Sequence, residues 1–305
     1  MSGFALSVDL EEYFQVSNFE GVIERAGWGA LEARAARATR RLLDLFDETG
    51  SRATFFALGW IAERDPGLLR EIAARGHEIA CHGHAHELVY AIGPERFRSD
   101  LRRAVAAIAD ATGIRPTGYR APSYSITRAS LWALPILREE GFEYDSSIFP
   151  IRHHRYGIPD FAREPVRLAL PGGESLLEFP LTTLGLGPLR LPLAGGAYLR
   201  FLPQALFEWG WQRLARAGRP AVLYLHPWEI DPGQPRQRVG LAVRVNHYHN
   251  LSRTEARLAR LLRRFRFAGL RDVLRALEAE GRVQPHTLCS DAAAALPAAL
   301  RRAAT

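Results

Sequence analysis

The chain has 305 residues, of which 47% are hydrophobic, and it carries a formal net charge of +7. This composition is typical of a globular protein with a sizeable core, and no apolar run approaches the roughly 20 residues of a membrane span. All basic residues are arginines spread along predicted helices, which argues against a nucleic-acid-binding surface. The amino terminus lacks the basic start of a secretory signal, and Cys81 and Cys289 are too few for a disulfide framework, so we expect a cytoplasmic protein.

Helix and strand patterns alternate along the chain. Strands separated by single helices predict βαβ units and a mostly parallel sheet. The stretch 150–200 is rich in Gly and Pro and predicts long loops. In chain order, the predicted elements are a strand ending at Asp9, a helix over 39–50, a strand over 53–59, a helix from Pro66 to Gly76, a strand over 77–81, helices over 94–113 and 130–141, a strand over 176–184, a helix over 203–218 and a strand over 220–227.

A polar side chain follows each of five predicted strands, at the point where the strand ends. These side chains are Asp9, His82, Arg120, Asp145 and His226. Because parallel strands leave a sheet at one edge, the five side chains should converge there. Polar residues scattered at random over a protein surface would not fall at the end of each of these strands. The pattern therefore predicts a functional site at that edge.

Two histidines, His82 and His86, have the four-residue separation that pairs of zinc ligands use on a helical turn. His84, between them, should point elsewhere. The pair needs a third ligand, typically a carboxylate. Asp9 and Glu11 would share one face of a strand, so one of them could bind the metal while the other acts as a base. Alone, this acidic segment is better explained as a helix-capping loop; beside the histidines, a metal site becomes the better interpretation.

His226 stands between an apolar strand and a proline in "LYLHP". A histidine in such a place is often a core residue whose hydrogen bonds are satisfied. Near a metal site it could instead be a general acid, if a carboxylate such as Asp145 raises its pKa by favouring the imidazolium.

The motifs "SVDLEE", "HGHAH", "YRAPSY", "YDSS" and "LYLHP" follow one another over residues 5–228. In this order they resemble the NodB-type polysaccharide deacetylases of carbohydrate esterase family four. The segments "YDSSIFPIRHHRYGIPD", "HPWEIDPGQPR" and "NHYHNLSRTEARLARLL" are similar to the members that accompany exosortase and exopolysaccharide gene clusters. The resemblance implies an α/β fold, a distorted (β/α) barrel with about seven parallel strands, and a C-terminal helical extension.

The resemblance also implies a role for each motif residue. His82 and His86 would bind a divalent metal, most simply Zn²⁺, together with an acidic residue of the first motif. Asp9 would be the catalytic base and His226 the acid. Arg120 would form an ion pair with Asp9, and Asp145 would adjust the pKa of His226. The backbone N–H of Tyr124 would donate a hydrogen bond to the oxyanion, and Leu225 would line the pocket for the acetyl methyl group.

One position departs from the family pattern, in which two carboxylates are adjacent. Leu10 stands where the second carboxylate would be. Strand alternation favours Glu11 as the metal ligand, and Glu12 is the rival.

Substrate-binding residues are predicted from their position on the same face. One of His153 and His154, which follow Asp145 in the chain, is expected to contact the substrate. Trp228 is an aromatic candidate for a glycan cleft, although it could equally belong to the core.

These observations predict a metal-dependent hydrolase that removes N-acetyl groups from amino sugars of a polysaccharide or its lipid-linked precursor, in exopolysaccharide biosynthesis. The expected partners are an N-acetylated glycan and, peripherally, the inner membrane face. The alternatives are an amidohydrolase of the same fold acting on small cyclic amides or imides, and a non-catalytic carbohydrate-binding barrel. Residues 1–281 are predicted to form one domain, with the extension from about 229, and 282–305 an Ala-rich tail.

Overall fold

The computed structural model describes residues 3–187 and 189–287. Helices and strands alternate through the first half of the chain, as the sequence predicts. Its elements are β1 (Phe4–Leu10), α1 (Ala35–Thr49), β2 (Thr54–Ala57), α2 (Gly59–Arg64), α3 (Pro66–Ala74), β3 (Glu78–Cys81), α4 (Val89–Thr112), β4 (Gly118–Tyr119), α5 (Ala133–Glu139) and β5 (Tyr144–Asp145).

The second half begins with short strands and ends with three helices followed by a short strand. Its elements are β6 (Val166–Ala169), β7 (Ser175–Glu178), β8 (Thr183–Leu186), β9 (Leu189–Pro192), α6 (Gly196–Phe201), α7 (Gln204–Arg216), β10 (Ala221–Leu225), α8 (Leu241–Tyr248), α9 (Leu251–Arg264), α10 (Leu270–Ala279) and β11 (Gln284–Thr287).

The main sheet has the order β10-β1-β2-β3-β4-β5-β7-β6-β11. The strands from β10 to β7 are mutually parallel, which agrees with the predicted set of about seven parallel strands. β6 runs antiparallel to β7, and β11 pairs parallel with β6. The free edge of β10 does not pair with another named strand in the described residues; instead the N–H of Val222 donates to Thr182 Oγ1 and the N–H of Tyr224 to the Ala194 carbonyl. The barrel is therefore distorted and, over the described residues, is not closed by strand pairing, although loop residues contact its β10 edge.

Side-chain alternation separates the two faces of the sheet. Leu6, Val8 and Leu10 of β1 pack in the large core between the sheet and the helices. Ala5 lies in a second cluster on the opposite face, so Ser7, Asp9 and Glu11 continue that inner face by the period of two. The carboxylates of β1 thus emerge on the inner face, at the carboxyl end of the strand.

Helix boundaries follow local signals in the sequence. The Asp65 side chain accepts from the Leu68 N–H at 3.0 Å, and Pro66 occupies the first turn of α3, as predicted. Gly113 ends α4 with a φ of 72°. Gly93, with φ 72° and ψ 172°, interrupts α4 just before Pro94, so its regular part begins where the sequence predicts a helix start.

The stretch 150–200 is more ordered than predicted. It contains four short strands and α6 instead of long loops alone. The single strand predicted over 176–184 is two strands, β7 and β8, that lie in different sheets. Pro180 stands between them, and its missing N–H prevents a continuous ladder.

The C-terminal part confirms the helical extension and shortens the predicted tail. This extension contains α8, α9 and α10, and α9 begins at Leu251. Residues Gln284–Thr287 of the predicted tail form a strand in the sheet; the rest of the tail, with Cys289, lies outside the described residues. Among the described helices, none has the length and apolar character needed to cross a bilayer.

Candidate active site

The polar side chains that end β1, β3, β4 and β10 converge at one edge of the sheet, as the strand-end pattern predicts. Three of them, Asp9, His82 and His226, border a cleft of about 690 Å³. The cleft is lined by residues of the first motif, the histidine motif, the segment 153–156 and the segments before and after β10. Its buried wall carries Asp9, Glu11, His82, His86 and His226.

Glu11, His82 and His86 form a cluster of metal-ligating groups on this wall. One donor atom from each residue lies within 4.8 Å of the others, and all three residues are buried. Glu11 Oε2 is 2.9 Å from His86 Nε2 but has no hydrogen-bond partner with acceptable geometry. The His82 Nδ1–H donates to the Arg120 carbonyl at 2.8 Å, which leaves Nε2 as the ligand atom. Two imidazoles and a carboxylate are the donor set of many catalytic zinc sites, so the residues fit a divalent metal.

The electrostatics keep these groups in the form that binds a cation. Burial alone would raise the pKa of Glu11, but the neighbouring His86 and His226 outweigh it and lower the pKa to about 2. Burial lowers the pKa of His82 to about 4. A carboxylate and a neutral imidazole are the forms that metal ligation requires.

The histidine pair is held by a loop and not by the helical turn that its spacing suggested. His86 has a φ of 50° and Gly83 a φ of 74°, so the chain folds back between them. Asp100 of α4 accepts from the N–H of His84 at 2.8 Å and holds the loop in place. The His84 side chain points away, with Nε2 3.0 Å from Glu63, as predicted for a residue that is not a ligand.

Asp9 forms a buried ion pair with Arg120. Arg120 Nη1 lies 2.6 Å from Asp9 Oδ1 and also donates to Ser7 Oγ at 2.8 Å. The Tyr124 hydroxyl donates to Asp9 Oδ2 at 3.3 Å. The second carboxylate oxygen of Asp9 therefore faces the cleft beside Glu11, where a base would be needed.

Glu12, the rival ligand, is used elsewhere. Its carboxylate accepts from the N–H of Arg34 and of Ala35 at 2.9–3.1 Å, at the start of α1. Burial raises the pKa of Glu12 to about 7. The acidic segment thus supplies both a helix cap and a candidate ligand, with Glu11 in the second role.

The partner of His226 differs from the prediction. The His226 Nδ1–H donates to Glu229 Oε2 at 3.1 Å, and Glu229 is held in turn by Arg200 Nε at 2.9 Å. The His226 Nε2 faces the cleft, 3.3 Å from Glu11 and 3.8 Å from Asp9. Burial lowers the pKa of His226, but Glu11 and Glu229 outweigh it and raise the pKa to about 9.

Asp145, which was predicted to tune His226, does not contact it. Among the described residues no hydrogen bond or ion pair joins the two, and four strands lie between β5 and β10 in the order of the sheet. Asp145 stands in register with Glu178 of β7 and accepts from the Ser147 hydroxyl at 2.5 Å. The strand-end rule places side chains on one edge but does not say which are neighbours.

Two further predicted roles are wrong in their detail. The Tyr124 N–H already donates to the Ala121 carbonyl at 3.0 Å, so it is not a free oxyanion donor, and its hydroxyl is the group nearest the site. Leu225 packs in the outer core and does not line the cleft; Tyr224 does. Leu225 and His226 are adjacent in the chain, so side-chain alternation along a strand predicts that they lie on opposite faces of the sheet. The same rule predicted one shared face for Asp9 and Glu11.

The predicted substrate-binding residues border the cleft. His153 and His154 are exposed at its mouth, and the His153 ring stacks on Tyr156 at 3.9 Å. Trp228 is nearly buried, stacks on His226 at 5.1 Å, and its Nε1–H donates to Glu11 at 3.4 Å. Sequence reasoning missed Arg200 and Glu229, although the acid three residues after His226 in "HPWE" is the signal that could have identified the latter.

Comparison with protein families assigns the two parts of the chain separately. Residues 27–143 match the family described as "Polysaccharide deacetylase". Residues 27–143 are therefore similar to polysaccharide deacetylases, and this match covers 117 of the 305 residues. Residues 146–275 match a family described as "Domain of unknown function (DUF3473)". The segment that follows the deacetylase match thus contains both Arg200 and the His226–Glu229 pair.

Known proteins support the deacetylase domain. The peptidoglycan deacetylase of Helicobacter pylori is 34% identical over 108 residues, which cover 35% of this chain and 36% of that protein. The chain spans about a third of the length of the curated relatives it matches. Among solved structures, a putative polysaccharide deacetylase from Mycobacterium smegmatis has a TM-score of 0.63 and 23% identity, covering 93% of this chain and 92% of that one. The PuuE allantoinase has a TM-score of 0.56 and 18% identity, covering 92% and 91%. Both likenesses cover nearly the whole chain and establish its fold and nothing finer.

Proposed function

We propose that this protein is a metal-dependent hydrolase that removes N-acetyl groups from the amino-sugar residues of a glycan. One observation carries the proposal: the ligand cluster Glu11–His82–His86 lies beside a carboxylate held by arginine and an imidazole held by a carboxylate. A metal site, a base and an acid on one wall of a cleft are the parts that amide hydrolysis requires.

Asp9 is suited to activate water. Its ion pair with Arg120 is fully buried and fixes the carboxylate, while Oδ2 remains directed toward the cleft. A divalent ion at the Glu11–His82–His86 cluster would supply Lewis acidity, lowering the pKa of water from 15.7 to about 7 and polarising the acetyl carbonyl. Asp9 then takes a proton from the attacking water.

His226 is suited to protonate the departing amine. Its Nδ1–H is committed to Glu229, so the proton that it gives up is the one on Nε2, which faces the cleft. Amines leave poorly without a proton, so a positioned acid contributes on the order of 10²–10⁴ in rate. The products are acetate and a free amino sugar.

The cleft favours a glycan over a small cyclic amide. Its volume of about 690 Å³ exceeds the space that a single small ring needs, and tyrosines 124, 156, 198 and 224 line it. Aromatic faces and polar edges suit sugar rings. The fold is shared with an allantoinase, so fold alone does not separate these two substrate classes.

The finer assignment is part of the same proposal. We infer a cytoplasmic enzyme of exopolysaccharide biosynthesis that acts on a polysaccharide or its lipid-linked precursor, with Zn²⁺ as the metal. The resemblance of segments such as "YDSSIFPIRHHRYGIPD" to enzymes of exopolysaccharide clusters supports it.

The proposal is tested by acetate release from N-acetylglucosamine oligomers of one to six units, with allantoin as the competing substrate. We expect release that increases with oligomer length, requires a divalent metal, and is absent with allantoin. Hydrolysis of allantoin without acetate release from any oligomer would show that the substrates are cyclic amides instead of glycans. Metal binding and glycan binding without any acetate release would instead establish a carbohydrate-binding barrel.

A further inference from the structure

Several large apolar side chains are strongly exposed beside the cleft. Leu241 and Val245 of α8 are 68% and 46% exposed, and Phe201, at the end of α6, is 43% exposed. Leu241 and Val245 stand one turn apart and so share a face of α8. Isolated exposed apolar residues need no explanation, but a group of them on one surface does.

These side chains belong to one connected surface. The Phe201 ring stacks on His249, just beyond α8, with ring centroids 4.6 Å apart. Arg200 Nη1 donates to the carbonyls of His247 and His249, which fixes the end of α8 against α6. α7 begins at Gln204 and also exposes Leu206 and Trp209, which are 39% and 40% exposed.

The two chain segments that supply most of these side chains are basic and contain no carboxylate. The segments 196–207 and 232–254 contain no Asp or Glu. Their exposed charged residues are Arg236, Arg238, Arg244 and Arg253. This differs from the arginines of α4, where Arg96 pairs with Glu87 and Arg102 with Glu140. On α4 the positive charge is compensated by neighbouring acids, whereas the segments 196–207 and 232–254 supply no acid of their own.

The surface adjoins the mouth of the cleft. Phe201 and the α8 residues Ala242, Val243 and Asn246 line the cleft on one side, while Leu241 and Val245 project to the solvent. Anything that binds the exposed side of α8 therefore holds the cleft mouth next to it. We call this surface the basic apolar face, defined by Phe201, Arg236, Arg238, Leu241, Arg244 and Val245.

We propose that the basic apolar face docks on the surface of an anionic lipid bilayer. Apolar side chains on one helix face, flanked by arginines and free of acids, are the combination that inserts shallowly among lipid headgroups. Arginines near such a surface are attracted by its negative potential. Docking would place the cleft mouth at the headgroup level, where a glycan attached to a lipid is presented. This last consequence rests on the proposed function; docking itself does not.

Vesicle co-sedimentation of the full chain tests docking without any assay of activity. The probes are vesicles of phosphatidylcholine alone and vesicles with 30% phosphatidylglycerol, each at low and high salt. We expect binding only to the anionic vesicles, weakened by salt because exposed charges are screened. Arg236→Gln/Arg238→Gln/Arg244→Gln should reduce binding about 100-fold, since each arginine is worth roughly fivefold. Leu241→Ser/Val245→Ser should reduce it roughly tenfold or more.

Matched control variants remove the same kinds of side chain at positions outside the basic apolar face. Ile114→Ser/Leu189→Ser removes two exposed aliphatic side chains, and Arg96→Gln/Arg102→Gln/Arg103→Gln removes three arginines of α4. Both controls should bind as the wild type does. Circular dichroism of each variant establishes that it is folded.

The outcomes separate docking from its rivals and from the proposed function. Equal binding of the face variants and the controls, or no binding to anionic vesicles, overturns the proposal. Concentration-dependent dimers that Leu241→Ser/Val245→Ser dissociates, without vesicle binding, would assign the face to a second copy of the chain and also overturn it. If the protein binds vesicles but releases acetate from no glycan, docking is supported and the proposed function is wrong. If the protein deacetylates soluble oligomers but does not bind vesicles, the proposed function is supported and docking is wrong.

Discussion

The metal side of the cleft and its acid side come from different parts of the chain. Asp9, Glu11, His82 and Arg120 precede residue 146, whereas His226 and its partners lie in the segment that matches a domain of unknown function. The metal side is held by backbone and arginine contacts within the sheet. The acid side is held by Arg200 and Glu229, and Arg200 also binds the end of α8. The second segment is therefore structurally part of the same site and not a separate module.

The largest effect is expected for His82→Ala, which removes a ligand from the metal side. The variant should lose the metal and fall to background activity, because the donor set no longer supports a cation. His84→Ala is the matched control, since His84 lies in the same loop and faces Glu63. Metal content by mass spectrometry and acetate release check both variants. A His82→Ala protein that keeps stoichiometric metal would show that the cluster is not the site.

Asp9→Asn separates the base from the ligands. It should retain the metal, because Glu11 and the two histidines are intact, while kcat falls by about 10²–10⁴. Metal content and kcat measured on the same preparation check this. Loss of metal with the substitution, or near-normal turnover, would contradict the assignment of Asp9 as base.

Glu229→Gln tests the acid side against the earlier expectation for Asp145. Loss of the carboxylate that orients His226 should reduce the rate on an amide substrate by about 10- to 100-fold. The loss on an activated ester should be smaller, because its leaving group needs no proton. Asp145→Asn should affect turnover less than Glu229→Gln does. If the two variants rank in the opposite order, the pairing seen in the structure is not the catalytic one.

The smallest effect concerns the buried carboxyl pair Asp145–Glu178, which lies away from the acid. Burial raises the pKa of both groups, so the folded state keeps a proton that the unfolded chain releases above about pH 4.5. This contribution to stability is complete at low pH and is lost as the pH rises through the raised pKa. The stability of Glu178→Gln should therefore change less than that of the wild type when the pH is raised from 5 to 8. Denaturant unfolding at the two pH values checks this, and an equal change in stability for the two proteins would count against a raised pKa of Glu178.

The parts of the fold and site that depend on local rules could be predicted. Helix caps such as Asp65 and the convergence of strand ends follow from one segment at a time. The shared face of Asp9 and Glu11 follows from the two-residue period of a strand. These rules were sufficient to bring the candidate ligands, base and acid to one edge of the sheet.

The remainder depended on contacts between distant segments. The order of strands decides that Asp145 meets Glu178 and not His226, and no local pattern encodes that order. Arg200 reaches Glu229 from a helix in the stretch that was predicted as loops. Leu225 was assigned from the resemblance alone, although strand alternation already contradicted a position in the cleft.

Metal titration of chelated protein, with acetate release as the readout, tests the central claim most directly. With Zn²⁺ added to the chelated wild type, release from an N-acetylglucosamine oligomer should rise from background and reach its plateau at one equivalent per chain. Full acetate release by the metal-free protein, or a titration that is unchanged by Glu11→Gln, would contradict the assignment of Glu11, His82 and His86 as the metal centre of a deacetylase.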